Sequence, residues 1–215
     1  MKKEIKITPE ELYYLGGLMQ AKYIDYAYIS AMEDIQKNYS LYESKAKTGL
    51  AKKGLLEEDF SGDMEISEEA KQLLSPIFLG EFEASMDVCY LGEETSKENI
   101  KYHFLDGKIV RVSNEERNWK IILFSEEEII KEVQKIFQHK SEDEEKEAKV
   151  FEQEKVTEII VLKHISIGKE SLVRIFFGYD GYIYTENENE EIVAATYSNI
   201  LKEAKEILLE ESVTK

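Results

Sequence analysis

Proline is nearly missing from this chain: Pro9 and Pro76 are the only two among 215 residues. With 42% hydrophobic and 34% charged residues beside that scarcity, the composition is that of a folded globular protein with a heavily charged surface. A second cysteine is missing as well. Cys89 alone cannot close an internal disulfide, and its strand-like surroundings suit a small buried thiol in a reducing compartment. A chain of this length buries enough core to need neither disulfide nor metal staples. No window approaches the roughly 20 apolar residues of a membrane-spanning helix. The opening MKKEIKITPEEL runs into Thr-Pro-Glu-Glu without an apolar stretch suited to a signal peptide. The expected location is therefore the cytoplasm.

Positive charge is in short supply. Lys and Arg number 28 against 45 Asp and Glu, a formal charge of -17, which repels the phosphate backbone that dominates nonspecific nucleic-acid affinity. A nucleic-acid role would need a local basic patch. Lys45, Lys47, Lys52 and Lys53, in a stretch without acidic residues from Ser44 to Leu56, form one.

Catalytic signatures are lacking too. HExxH, CxxC and GxSxG are absent, and His103, His139 and His164 fall in separate segments. His103 and His164 are expected on strand surfaces or satisfied by a local hydrogen bond. Gly49 and Gly54 have the glycine spacing of a phosphate loop, but Leu55 and Leu56 stand where Lys and Ser or Thr must reach phosphate and magnesium. Asp59, Ser61, Asp63 and Glu65 alternate as in an EF-hand loop. Its sixth position, however, is Met64 instead of glycine, and its twelfth is Ala70 instead of glutamate. No enzyme activity, cofactor or metal is expected.

What is present is punctuation. Thr8, Pro9 and Glu11 make a capping box with proline at the first helical position, opening a helix over residues 9 to 20. Residues 23 to 36 read as a second helix. Leu41, Tyr42, Ala46, Gly49 and Leu50 share a face of a third over residues 40 to 53, which Gly54 ends in a left-handed cap with Leu55 folding back onto Leu50. A short helix from Ser67 is expected to stop at Pro76.

From Phe82 the texture turns to short β-branched and aromatic runs. Asp106-Gly107 and Asp180-Gly181 are two hairpin signals. Aligning them, a shift of 180 minus 106 or 74 residues, overlays the two segments as a degenerate repeat. The fold class expected is α+β: a central, mainly antiparallel sheet from two degenerate β-hairpin/helix repeats, with an N-terminal helical segment and flanking helices. We expect one domain over 1-215. It comprises a helical segment 1-80, a β-β-β-β-α half 81-138 closed by a helix capped at Ser125, a charged linker 139-155, and a β-β-β-α half 156-215. Its last helix is expected over residues 188 to 210, opened by Asn187 and Glu190.

Two groups are candidates for partner binding. Seven of the 13 tyrosines lie within the first 42 residues. Among them, Tyr23, Tyr26 and Tyr28 suit an interface, where a ring packs while its hydroxyl stays wet, or equally the edge of a core. Val193, Tyr197, Ile200, Ala204 and Ile207 step by four and three in a coiled-coil-like seam, whose other use is packing on the chain's own sheet.

ITPEELYYLGGL, then LAKKGLLEEDFSGDMEISEEAKQLLSPI and a strand-rich segment, together resemble the EspG-like proteins of type VII secretion. In that family a similar helix, an L-x-x-x-G-L turn and a Pro-ended helix precede a quasi-two-fold sheet. The resemblance implies a cytoplasmic chaperone that holds secreted helical-hairpin proteins without ATP. The chain is short beside mycobacterial members, so the expected relative is of firmicute type, with WXG100 or LXG-like protein partners. No residue of the family's binding surface is carried over. The alternative is a winged-helix DNA-binding regulator reading with the basic helix at residues 40-53.

Overall fold

The computed structural model describes residues 4–61, 63–80, 82–91, 95–137, 152–166, 171–187 and 189–209. In chain order the elements are β1 (Glu4–Ile7), α1 (Pro9–Leu18), α2 (Tyr26–Ile29), α3 (Ile35–Lys52), β2 (Leu56–Glu58), β3 (Met64–Ile66) and α4 (Glu68–Leu79). There follow β4 (Phe82–Tyr90), β5 (Ser96–Leu105), β6 (Lys108–Glu115), β7 (Asn118–Phe124) and α5 (Glu126–Phe137). After a 3-10 turn at Gln153–Lys155 come β8 (Val156–Ser166), β9 (Leu172–Tyr179), β10 (Tyr182–Glu186), β11 (Ile192–Ala194) and α6 (Tyr197–Leu209). The fold is α+β. Nine strands form one sheet in the order β1-β7-β6-β5-β4-β8-β9-β10-β11, and β2 and β3 form a separate hairpin.

This order is a palindrome about β4 and β8, with β1 added at one edge. The offset of 74 that aligns the two Asp-Gly turns also links Asp87 to Val161, which are direct partners across the antiparallel β4/β8 pair. Both turns have left-handed residues at both central positions, with φ 50° and 72° at Asp106-Gly107 and 50° and 83° at Asp180-Gly181, as a tight two-residue hairpin demands.

Close contacts divide the chain into two compact units, residues 1–81 with 103–123 and residues 82–102 with 124–215. In the first, Leu12, Leu15, Leu50, Leu73, Leu74 and Phe78 of the helices are buried in one cluster with Val110, Val112, Trp119 and Ile121 of the strands. In the second, Ile200, Ala204, Ile207 and Leu208 form the buried face of α6, which packs on β4, β8 and β9.

Several expectations shift on the structure. The capping box is formed, with Thr8 N–H donating to Glu11 Oε2 at 2.8 Å and Glu11 N–H to Thr8 Oγ1 at 3.2 Å. Gly54 ends α3 at φ 67°, while Leu55 N–H reaches the Leu50 carbonyl and Gly54 N–H that of Ala51, both at 3.0 Å. That is the Schellman pattern. The helix expected over residues 23 to 36 is instead the single turn α2, capped by Asp25. Asp34, at φ 46°, interrupts it, and α3 starts from the next residue.

Pro76 lies inside α4, since its missing N–H removes one bond only and the helix continues to Leu79. Asn187 does not open the last helix. Its side chain accepts from Asn189 N–H and Glu191 N–H at 2.9 Å each, holding the turn before β11. The second half therefore has a fourth strand, and α6 starts at Tyr197, where Asn199 N–H donates to Thr196 Oγ1. The linker expected over 139-155 falls outside the described residues except for the turn at its end.

Candidate protein-binding surfaces

The Asp59 to Asp63 stretch is an Asx turn closing the β2/β3 hairpin. Asp59 Oδ1 accepts the backbone N–H of Ser61 and of Asp63, both at 2.8 Å. Gly49 lies within α3, where it gives Glu11 room: a Cβ there would approach Glu11 Oε1 to 2.1 Å. Both segments thus have a mechanical use.

His103 and His164 are interior rather than on strand surfaces. His103 Nε2 shares a hydrogen bond with the Tyr28 hydroxyl at 2.5 Å. His164 Nδ1 lies 3.0 Å from the Ile207 carbonyl and Nε2 3.0 Å from Ser166 Oγ. Since the carbonyl can only accept, Nδ1 carries the proton, and His164 caps one of the unpaired carbonyls at the end of α6. Among the described residues no group of three or more His, Cys, Asp or Glu is placed to hold a metal ion.

The basic helix is partly neutralised. Lys53 meets the buried Glu11 at 2.5 Å and Lys47 meets Glu43 at 2.9 Å, which leaves Lys45 and Lys52 on its surface. Ahead of it stand α1 and the single turn α2, not the helix pair that a winged-helix reader requires.

Of the candidate partner-binding tyrosines, Tyr26 is 74% exposed and Tyr23 47%, whereas Tyr28 is 1% exposed. Tyr28 packs edge-on against Trp119, whose Nε1–H donates to the Tyr28 carbonyl at 3.0 Å. It is a core residue. In the second group, Ile200 is fully buried, and Tyr197 and Val193 are half-buried. Val193 belongs to β11, not to the α6 seam, and lies across from Thr185.

An exposed apolar surface of the second unit was not among the candidates read from the sequence. Cross-strand partners share one face of a sheet. On β4 and β8 the pairs Ala84–His164, Met86–Leu162 and Val88–Ile160 are buried on the face that carries α6. The alternate pairs Ser85–Lys163, Asp87–Val161 and Cys89–Ile159 lie on the other face, continued on β9 by Val173, Ile175 and Phe177. There Ile175 is 49% exposed, Val173 44% and Ile165 40%. Lys163 Nζ sits 3.2 Å from Asp87 Oδ2, and Asn99 Nδ2 also donates to Asp87, so Lys163 and Asn99 both meet the Asp87 carboxylate. The signal in the sequence is the β8–β9 stretch, where both alternating sets of side chains are largely apolar, as in a strand covered on both sides.

No family model and no curated protein matches the chain. Among solved structures, it is similar to the Mycobacterium tuberculosis type VII secretion system chaperone EspG5, solved in complex with a PE25–PPE41 dimer. That similarity has a TM-score of 0.64 and 7% sequence identity over 95% of each chain. At this identity the likeness is one of fold, and the fold is EspG-like.

Proposed function

We propose that this chain is a cytoplasmic chaperone or adaptor that binds helical-hairpin proteins of a type VII-like secretion system and releases them intact without ATP. The observation that carries the reading is the amount of apolar surface left open on an otherwise acidic molecule, at the tyrosines before α3 and on the sheet face of the second unit. Contiguous exposed apolar side chains rimmed by polar groups mark association sites. A broad surface with a few large anchors suits a partner presenting helices, since binding energy concentrates in such anchors.

The fold supports the reading. EspG5 is a chaperone solved with a protein dimer, and the arrangement is shared end to end. The charge of -17 has a use here, keeping the unloaded protein dispersed while its binding surface is exposed. A partner of the WXG100 or LXG-like kind, two packed helices with axes 8–10 Å apart, is roughly as wide as a few neighbouring strands, which lie about 4.8 Å apart. Co-expression with the small helical secreted proteins encoded beside it should yield a stoichiometric complex on gel filtration, unchanged by adding or removing nucleotide. Absence of any complex, with turnover of a small molecule by the purified chain, would overturn this reading.

A further inference from the structure

The two halves of the sheet are equivalent under the offset of 74, yet their outer faces are built oppositely. Asp87, Asn99 and Lys101 in the first half correspond to Val161, Val173 and Ile175 in the second. The first-half residues are polar and satisfied internally, with Asn99 donating to Asp87 and Lys101 meeting Glu83 at 2.5 Å. Lys101 is 6% exposed, while its counterpart Ile175 is 49% exposed. Polar inside and apolar outside is the reverse of what burial and water favour.

Within the first unit, the strands of the first half have helical cover from the chain itself. His103, the counterpart of Phe177, is 4% exposed and is met by Tyr28 from α2. Val110 and Val112 are buried in one cluster with Leu12 of α1 and Leu73 and Phe78 of α4. The helical segment that furnishes this cover precedes the first half in sequence. Among the described residues, only the turn at Gln153–Lys155 stands between α5 and the second half, and no helix-rich segment.

We infer that the outer face of β8 and β9, centred on Val161, Val173, Ile175 and Phe177, receives a helix of the partner in the place that the chain's own helices occupy on the first half. The occupant is an amphipathic helix with apolar side chains at i, i+3 or i+4 and i+7, because the face is a flat cross-strand patch and not a strand edge. This inference rests on the chaperone reading and adds where the partner lies.

The variant Val173→Asn with Ile175→Lys puts the first-half residues onto the second half. Both positions are exposed, so folding should be retained, as near-native circular dichroism would show. Its affinity for the co-expressed helical partner should fall about 30-fold or more, the loss expected at an interface anchor, while Leu41→Ser, at an exposed apolar position of α3 outside the proposed surface, changes affinity by less than about threefold. As a readout that needs no substitution, the single thiol of Cys89, paired with Ile159 on this face, should react with a maleimide at least tenfold more slowly in the complex, a protection expected of a fully covered centre. If wild-type protein binds and the double variant binds equally well, or Cys89 keeps its reactivity in the complex, the assignment of the face is wrong and the chaperone reading stands. If wild-type protein binds none of these partners, the chaperone reading fails, and this inference with it.

Discussion

At the scale of single residues, Glu11 carries more than its cap. One buried carboxylate accepts the Thr8 N–H, meets Lys53 Nζ from the end of α3 and fills the space above Gly49. Replacing it with Ala should lower stability by about 1–3 kcal/mol, since the Thr8 N–H loses its capping acceptor and the exposed Lys53 ammonium loses its partner. Gly49→Ala should also destabilise, because the new methyl would occupy the carboxylate's place. Combining the two should cost less than the sum, and a chemical-denaturation cycle on the four proteins reads that coupling. The capping half of this arrangement was legible in Thr-Pro-Glu-Glu. The link to Lys53, 42 residues away, was not, because local spacing says nothing about which distant helix arrives. The tyrosines make the same point: Tyr26 and Tyr28 have the same residue type two positions apart, and only packing against His103 and Trp119 separates a core ring from a surface one. Tyr28→Phe should cost about 1 kcal/mol, and Tyr26→Phe almost nothing.

A surface pair offers a test by pH. Lys6 on β1 meets Glu115 on β6 at 2.9 Å. The hydrogen bond to Lys6 holds the Glu115 carboxyl below its ordinary range, and the same bond raises Lys6. A carboxyl depressed on folding contributes stability that is present above its unfolded pKa and lost as pH falls through its lower folded value. The pair is solvent-exposed, so the effect on stability is small. NMR titration should nevertheless place Glu115 below an unpaired glutamate, and Lys6→Met should return it to the ordinary range.

Among the elements, those with signals at both ends were legible, and those fixed by partners were not. α1, the Schellman end of α3, α5 and both Asp-Gly hairpins follow from local chemistry, whereas α3 begins at Ile35, ahead of the expected residue 40, because Asp34 offers no side-chain cap to mark its start. β1 was missed because EIKI is too short to declare itself, and its pairing with β7 comes from the far side of the first unit. The last helix was set too early, since Asn187 closes a turn as readily as it opens a helix. Its far end depends on a residue that sequence could not connect to it: His164 on β8 donates to the Ile207 carbonyl. His164→Leu leaves that carbonyl and the Ser166 hydroxyl without this partner and should lower stability by about 1–2 kcal/mol. Amide exchange should quicken first in the last turn of α6.

For the molecule as a whole, the offset between the Asp-Gly turns held the architecture in outline. It foretold paired halves and a central antiparallel sheet, though not the fourth strand of the second half. The candidate surface was less legible, because a covered first half and an open second half are written in much the same alternation of strand residues. Which face is open depends on helices that lie elsewhere in the chain. The activity proposed for this protein is the holding of another protein on apolar surface. Amide hydrogen exchange on the purified chain, with and without a co-purified helical partner, tests it most directly. Slowed exchange concentrated in β8 and β9, with no nucleotide required, is the expected result. Unchanged exchange throughout the chain in the presence of every neighbouring helical protein would contradict it.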